Sequence, residues 1–406
     1  MILNETYNKK KKIVIDKGVG NYLYYKNKKL IDLSCFNGVL LLGHNHSVFK
    51  NSLKSYVNFQ LSMSAEQNSN AKNLSKLVKY FFPKIEKLIF CNTGTEAVIK
   101  SLRIAKAINK KKDKIVCTTG SWHGSVDQTL FYPDIKLKAK PISNGINAVH
   151  KKNLIFVPYN DFDNTKKIIE KNINKINCLL IEPITASLPD IRSIEYLKKL
   201  LLFCKNKKIT VIFDEIITGF RCLKGSVQSR NNLNPDITLL GKVLGGGSPI
   251  GAIGINKKIN KILKNKKIFY GGTFSANNFT THLGVSILNY LKLNKKIIYN
   301  LSIKCKTIET KINNYIIQNN IDANIYRYDS LLRIVFSRKN INNRIQRDFF
   351  EKKVEKNKKL FIEYLFKKGI YYPPNGVILL PATIKNNDVK KIINVTCKGL
   401  KKFFKK

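Results

Sequence analysis

The chain has 406 residues, of which 43% are hydrophobic, and a formal net charge of +48 at pH 7. A chain of this length exceeds one compact core, so two packed domains are expected. The sequence has no stretch of about twenty apolar residues, which excludes a membrane-spanning helix, and its start lacks the apolar core of a secretory signal. A cytoplasmic protein is therefore predicted.

The positive charge by itself favours binding to nucleic acid or to an anionic membrane. The lysines are, however, dispersed along the whole chain, and arginine, which reads phosphate better, occurs only nine times. Lysine, asparagine and isoleucine are abundant together, as a base-composition bias of the coding genome would produce. No specific nucleic-acid partner is predicted, and the lysine-rich tail from Lys398 to Lys406 is predicted to be a helix packed on its own domain.

Eight cysteines are scattered along the chain without a CxxC pair, and several lie in apolar runs. This usage is typical of buried, reduced thiols in a cytoplasmic protein. No metal site is predicted.

Residues 51–288 alternate short apolar runs with segments of helical spacing. This alternation is typical of a largely parallel sheet with helices on both faces. The apolar runs are LIF, KIVC, LIFV, CLLIEP, VIFDE and ITLLG. One large α/β domain is predicted here.

Residues 289–406 combine a strand pair near Leu331–Phe336, a helix from Arg344 to Phe366, and a short final strand and helix. A smaller α+β domain is predicted from this order. Residues 1–50 are predicted to form strands and turns, which LLGHNH closes. No Gly/Ser linker or internal repeat occurs, so the domains are expected to be packed together.

The first chemical candidate follows the predicted strand LIF. Thr93, Gly94 and Thr95 come before a segment with apolar residues at helical spacing, and so they lie at a helix N-terminus. Free backbone amides and the positive end of the helix dipole bind phosphate there. An ordinary threonine N-cap is an equally good interpretation.

The next candidates are Trp122 and His123, which lie between two glycines in GSWHG after the predicted strand KIVC. Trp122 is the only tryptophan of the chain. Its flat ring is suited to stack on a heteroaromatic cofactor, although a large aromatic side chain is more often part of a core. His123 is predicted to be a supporting residue and not a catalytic base.

Two acids end the apolar run VIFDE. Ligands of parallel sheets lie beyond the carboxyl ends of the strands, where Asp214 is expected. A carboxylate there can hold a positively charged ring nitrogen. Glu215 is predicted to point to the opposite face of the sheet and to form a structural ion pair with Arg221.

Lys242 follows the run ITLLG and comes before three consecutive glycines, which let backbone approach a ligand closely. A lysine in such a pocket can lose its proton and attack a carbonyl. The alternative is a surface lysine beside a mobile glycine loop, and for a lone lysine that alternative would be favoured.

Six motifs taken together resemble those of the class III aminotransferases that depend on pyridoxal 5'-phosphate, in the glutamate-1-semialdehyde aminomutase branch. They occur in register from about Gly18 to the last helix: TGTEA, SWHG, IEP, FDEIITGFR, GKVLGGGSPIGA and GGTFSANN. The resemblance implies fold type I, with a mostly parallel seven-stranded sheet and a small domain that includes residues 1–50. It also implies a homodimer with active sites at the subunit interface.

The same resemblance implies roles for individual residues. Lys242 matches the lysine that joins covalently to the cofactor's aldehyde carbon and moves the substrate proton. Asp214 matches the partner of the ring nitrogen. Ile216 and Trp122 match the residues on the two faces of the ring, and His123 falls in the same cofactor-binding motif.

At the phosphate end, Gly94 and Thr95 match the phosphate loop. Thr273 matches a threonine that reaches the phosphate of the neighbouring subunit. The resemblance thus implies two active sites that are shared across the dimer.

Three departures from the aminomutase pattern accompany these matches. Ser187 replaces an asparagine near the cofactor hydroxyl, no counterpart of the substrate-carboxylate arginine precedes Lys17, and YYPPNGVILLP lacks an acidic residue. The prediction is an aminotransferase that acts on a small-molecule amino donor and a keto or aldehyde acceptor. The alternatives are the aminomutase reaction or a related enzyme such as a racemase.

Arg333 lies within the apolar run LLRIVF, where a guanidinium requires an anion. A substrate carboxylate or phosphate is one interpretation. Pairing with a structural Asp or Glu is the other.

Overall fold

The computed structural model describes residues 13–59 and 68–405. Its strands are β1 (Lys17–Val19), β2 (Tyr22–Tyr25), β3 (Lys28–Asp32), β4 (Lys87–Cys91), β5 (Lys114–Thr118), β6 (Phe131–Pro133), β7 (Ala139–Pro141), β8 (Leu154–Val157), β9 (Ile176–Ile181), β10 (Thr210–Asp214), β11 (Ile237–Gly241), β12 (Gly251–Ile255), β13 (Asn324–Tyr328), β14 (Leu331–Val335), β15 (Ile370–Tyr371) and β16 (Ile378–Leu379). Its helices are α1 (Ser47–Phe59), α2 (Ser69–Phe81), α3 (Gly94–Ile108), α4 (Ala148–Lys152), α5 (Phe162–Lys171), α6 (Ser193–Asn206), α7 (Val227–Asn231), α8 (Lys257–Leu263), α9 (Asn278–Leu293), α10 (Lys296–Gln318), α11 (Arg344–Lys352), α12 (Glu355–Lys367) and α13 (Asn386–Phe404).

The central element is a seven-stranded sheet with the order β4-β12-β11-β10-β9-β5-β8. All neighbouring pairs from β11 to β8 are parallel, and β12 alone is antiparallel to both of its neighbours. The prediction of a mostly parallel seven-stranded sheet is confirmed. Six strands therefore end at the same edge of the sheet.

The strands are buried because helices cover both faces of the sheet. Every residue of β9, β10 and β11 is buried, which explains the continuous apolar runs in the sequence. Helix α3 buries Val98 and Ala105 in the core of one face, and α6 buries Leu197 and Leu200 in that of the other.

The N-terminal segment shares a sheet with the C-terminal part of the chain. Strand β3 pairs with β15 in parallel, with Ile31 opposite Ile370, and completes the order β1-β2-β3-β15. A second small sheet has the order β13-β14-β16. The proposed domain boundary at residues 288 and 289 falls within α9 and stays a prediction.

Two helices differ from the sequence expectation. The segment 344–366, predicted as one helix, forms α11 and α12 with a break at Lys353 and Val354, where Val354 has φ −116° and ψ 21°. Helix α10 was not predicted, although Leu301, Cys305, Ile308, Ile312 and Ile316 follow helical spacing and are buried.

The C-terminal residues form α13, which buries Val389, Leu400 and Phe404. The prediction of a packed terminal helix is confirmed. All eight cysteines lie in the described ranges, where they are buried and unpaired. No helix among the described residues has the length and apolar character to span a bilayer.

Candidate active site

A cavity of about 340 Å³ opens at the edge of the sheet where the parallel strands end. The segments that follow β4, β5, β9, β10 and β11 each contribute a polar or aromatic group to its lining. These groups are Thr95, Trp122, Glu182, Asp214 and Lys242. The topology of the sheet thus brings together residues that are far apart in the sequence.

Lys242 directly follows β11 and begins a short 3₁₀ turn, Lys242–Gly245. Its φ of 48° lies in the left-handed region, which costs a residue with a Cβ about 1–2 kcal/mol. Burial lowers the pKa of its amine to about 8, although Glu182 and Asp214 oppose that shift. The fold therefore holds a lysine whose neutral, nucleophilic form is accessible near physiological pH.

This pKa predicts how the apoprotein captures an aldehyde. Only the neutral amine attacks a carbonyl, so the rate of covalent capture of pyridoxal phosphate should rise with pH up to about 8 and then level off. Stopped-flow absorbance from pH 6 to 10 measures this rate. A rate that keeps rising tenfold per pH unit above pH 9 would indicate a lysine with an ordinary pKa and contradict the prediction.

Asp214 is the last residue of β10 and is buried. Its Oδ2 lies 2.8 Å from Nδ1 of His123, and its Oδ1 accepts a hydrogen bond from the backbone N–H of Ile216 at 3.2 Å. The Nε2 atom of His123 is buried without a hydrogen-bond partner. His123 thus contacts the Asp214 carboxylate from outside the cavity lining, and its supporting role stays a prediction.

Glu182 was given no role from the sequence, yet it lines the cavity. Its carboxylate accepts backbone N–H groups of Trp122 and Ala186, both at 2.8 Å. Burial, reinforced by the charge of Asp214, raises its pKa to about 7. Its position directly after the buried strand β9 is the same signal that singled out Asp214.

The N-terminus of α3 forms one end of the cavity. Thr93 is the N-cap, with its hydroxyl accepting from Glu96 N at 3.1 Å, while Gly94 and Thr95 line the cavity. The N-cap interpretation is confirmed, and binding of a phosphate at this helix end stays a prediction. A Cβ on Gly94 would lie 2.7 Å from Ile216 Cδ1, so a larger residue at this position would force the Ile216 side chain to move.

Ile216 and Trp122 both line the space between these groups. The Trp122 residue is 50% exposed, which is unusual for a tryptophan that has only a core role. An amine, a carboxylate, two apolar walls and an anion-binding helix end match the aldehyde, ring nitrogen, ring faces and phosphate of pyridoxal phosphate. The residues present therefore fit this cofactor.

The single tryptophan gives a direct test of the stacking position. Addition of pyridoxal phosphate to the apoprotein should quench most of the Trp122 emission, because the pyridine ring of the cofactor would lie against the indole. Inorganic phosphate, which carries no ring, should leave the emission unchanged. Full emission from the loaded protein would contradict the assignment of Trp122.

The family model described as aminotransferase class-III matches residues 4–394. The chain belongs to the class III aminotransferases. One relative, the glutamate-1-semialdehyde 2,1-aminomutase of Wigglesworthia glossinidia brevipalpis, is 34% identical over 301 residues, which cover 71% of this chain and 69% of the relative. The enzyme of that name from Methanocaldococcus jannaschii is 30% identical over 384 residues, 92% of this chain and 87% of the relative.

Solved structures agree with this fold. An omega-transaminase from Sphaerobacter thermophilus has a TM-score of 0.90 at 21% identity, covering 97% of this chain and 92% of its own. A glutamate-1-semialdehyde-aminomutase from Pseudomonas aeruginosa PAO1 in complex with PMP has a TM-score of 0.85 at 15% identity. The match covers 97% of this chain and 88% of the aminomutase chain. The predicted fold type I is confirmed, and pyridoxal 5'-phosphate is the cofactor of this aminotransferase.

Besides His123, which contacts Asp214 from outside the lining, three predicted site residues do not line the cavity of the aminotransferase. Thr273 lies in an exposed loop before α9. Ser187 has a buried hydroxyl without a hydrogen-bond partner, 2.7 Å from where a Cβ on Gly120 would lie. Their roles stay predictions.

Arg333 is the third of these residues and is only 4% exposed. Its Nη1 donates to the carbonyl of Asn375 at 2.8 Å, and its Nε has no partner. No carboxylate of the described residues lies within ion-pair distance of it. Burial lowers its pKa to about 10. With no carboxylate beside it, Arg333 does not form the structural ion pair of the second interpretation, and its contact with a substrate anion stays a prediction.

The predicted ion pair between Glu215 and Arg221 is wrong. Glu215 is buried away from the cavity, as expected, but its carboxylate accepts the backbone N–H groups of Val227 and Gln228 at 2.9 and 3.0 Å. The guanidinium of Arg221 donates instead to the carbonyls of Gly38 and Leu380, both at 3.0 Å. Backbone groups thus bind both side chains, although the Nε of Arg221 is left buried without a hydrogen-bond partner.

Proposed function

We propose that this aminotransferase moves an amino group between two separate molecules, an amino donor and a keto or aldehyde acceptor. The observation that carries the proposal is the pairing of Lys242 and Asp214 in one cavity, at the ends of adjacent parallel strands. Asp214 lies opposite Leu239 in the register of β10 and β11, and Lys242 follows three residues after Leu239. This arrangement supports amino transfer with pyridoxal phosphate, and the departures from the aminomutase pattern favour transfer between two molecules.

Bound pyridoxal phosphate supplies an aldehyde that accepts the amino group and a ring that withdraws electrons from the reacting carbon. The protein's residues do the rest. Lys242 Nζ binds the cofactor and then carries the proton from the substrate carbon. The carboxylate of Asp214, oriented by His123, keeps a proton on the ring nitrogen. Gly94 and Thr95 hold the phosphate at the N-terminus of α3, and Trp122 and Ile216 hold the ring.

The second candidate is intramolecular amino transfer, as in glutamate-1-semialdehyde 2,1-aminomutase. The names of the curated relatives favour it. The site departs from the aminomutase pattern at Ser187 and in the segment 371–381, where an acidic residue is missing. Transfer between two molecules needs neither group, which is why we place it first.

We further propose that the enzyme works as a cytoplasmic homodimer with active sites at the subunit interface. Phe269 and Phe274 flank Thr273 in one loop and are 76% and 57% exposed. Large apolar side chains in one exposed loop favour contact with a second subunit. Such contact would bring Thr273 to the neighbouring cavity.

Stoichiometry tests the proposed reaction. The loaded enzyme is mixed with one amino donor alone, and conversion of the cofactor to its amine form is followed by absorbance. We expect one equivalent of keto product per active site, and continued turnover only after an acceptor is added. Turnover of glutamate 1-semialdehyde to 5-aminolevulinate without a second substrate would support the aminomutase instead. Absence of any half-reaction with every donor and with the semialdehyde would overturn both.

A further inference from the structure

A strained turn lies at the mouth of the active-site cavity. Cys35, Phe36 and Asn37 have φ angles of 51°, 52° and 54°, and Gly38 follows with 86°. Four consecutive residues thus adopt the left-handed conformation, which is unfavourable for the three that carry a Cβ. Backbone strain of this kind persists only where surrounding contacts enforce it, and it is concentrated at ligand sites.

Contacts from the neighbouring Asp32 and from two distant parts of the chain hold this turn, which we call the 35–38 turn. The Asp32 carboxylate accepts the backbone N–H groups of Ser34 at 2.7 Å and of Cys35 at 3.1 Å. Arg221 donates to the backbone carbonyl of Gly38 at 3.0 Å, and Nδ2 of Asn375 donates to the side-chain Oδ1 of Asn37 at 3.3 Å. The 35–38 turn is therefore fixed at both ends.

The 35–38 turn presents one large apolar side chain. Phe36 lines the cavity together with Val39, yet it is 61% exposed. The conformation of the turn and its anchors keep this ring at the opening instead of allowing it to fold into the core. An exposed aromatic ring held in this way gains contact area when a ligand group packs on it.

The side chains that line the cavity indicate which kind of ligand group packs on Phe36. The charged side chains of the lining are Glu182, Asp214 and Lys242, which belong to the ends of the central strands. No arginine of the described residues lines the cavity. The remaining large side chains of the lining are mostly apolar: Val39, Ile184, Ile217, Pro249 and Ile250. The part of a substrate beyond its reacting carbon therefore meets apolar surface and Phe36.

We infer that Phe36 is a specificity-determining residue and that the preferred amino donor carries an aromatic or branched aliphatic group on its amine-bearing carbon. This group packs on the Phe36 ring while the amine reaches Lys242. The inference rests on the proposed amino transfer between two molecules and names the substrate class of that site.

Two donors that differ in one group test the inference. 1-Phenylethylamine and 2-aminopropane share an amine and a methyl group on the same carbon, and only the first carries a ring. The kcat/KM of the donor half-reaction is measured by cofactor absorbance, with glutamate as a reference donor. The wild-type enzyme should prefer 1-phenylethylamine over 2-aminopropane by about tenfold or more.

Phe36→Ala should remove most of this preference while changing the kcat/KM for 2-aminopropane by less than about threefold. Phe36→Tyr, which keeps the ring, should retain the preference, and Phe36→Leu serves if the alanine variant does not fold. Ile135→Ala, at an exposed apolar residue outside the cavity lining, is the matched control and should change neither donor.

Three results would overturn the inference while leaving amino transfer intact. These are a wild-type preference for glutamate or 2-aminopropane, an equal loss for both donors in Phe36→Ala, and dissociation of a dimer with the preference unchanged. The last result would mean that Phe36 covers a partner subunit. If no donor reacts with the wild-type enzyme, the proposed function itself fails, and the inference fails with it.

Discussion

Replacement of Lys242 by alanine should abolish amino transfer, with a loss in kcat of about 10⁴-fold or more. The variant loses both the covalent attachment of the cofactor and the group that moves the substrate proton. No other lysine of the described chain lines the cavity to take its place. Single-turnover absorbance with an excess of donor measures the loss, and thermal unfolding confirms that the variant is folded.

Lys224→Ala is a matched control for this variant. Lys224 also has a left-handed backbone, with φ 57°, but it is exposed and lies outside the cavity. The two substitutions therefore have similar backbone effects and differ in the function of the side chain. Lys224→Ala should retain full activity. If Lys242→Ala kept more than a tenth of the wild-type rate, a different residue would have to be the nucleophile.

Asp214→Asn should lower kcat by about 10²–10³-fold, the size of effect seen when one pre-organised charge interaction of an active site is removed. The amide is nearly isosteric but neutral, so it no longer favours a proton on the ring nitrogen. It also loses the charge that interacts with His123 at 2.8 Å. The cofactor should still bind covalently, and so the defect should appear in kcat more than in cofactor content.

Asp236→Asn separates this role from structural effects. Asp236 lies just before β11, at the opposite end of the sheet, where it accepts a hydrogen bond from Val211 N at 3.0 Å and pairs with Lys258. Its replacement is expected to reduce stability without a comparable loss of kcat. Equal losses of kcat in the two variants would contradict the assignment of Asp214 to the ring nitrogen.

Much of the large domain was predictable because buried parallel strands leave an unmistakable pattern. The runs that became β4, β5, β8, β9, β10 and β11 are short, apolar and bounded by polar residues. Since parallel strands end at one edge, the same pattern also predicted that Asp214 and Lys242 meet there. Local sequence was sufficient for these features because each apolar run predicts a buried strand, and the polar residue that ends or follows the run predicts a side chain at the edge of the sheet.

Other features depend on tertiary contacts that the local sequence does not carry. Arg221 was predicted to pair with a carboxylate, but its two Nη atoms donate to the carbonyls of residues 38 and 380, far away in the sequence. Phe36 lines the cavity from the turn after β3, a strand that pairs with β15 from the far end of the chain. The break between α11 and α12 involves no proline or glycine, and so the local sequence contained no signal that one predicted helix would be divided into two.

The covalent position of the cofactor tests the central claim most directly. The protein is loaded with pyridoxal phosphate, reduced with borohydride, digested and analysed by mass spectrometry. We expect a single modified peptide with the label on Lys242, one of 65 lysines. A label on any other lysine, or no label at all in a folded protein, would contradict the account of this site.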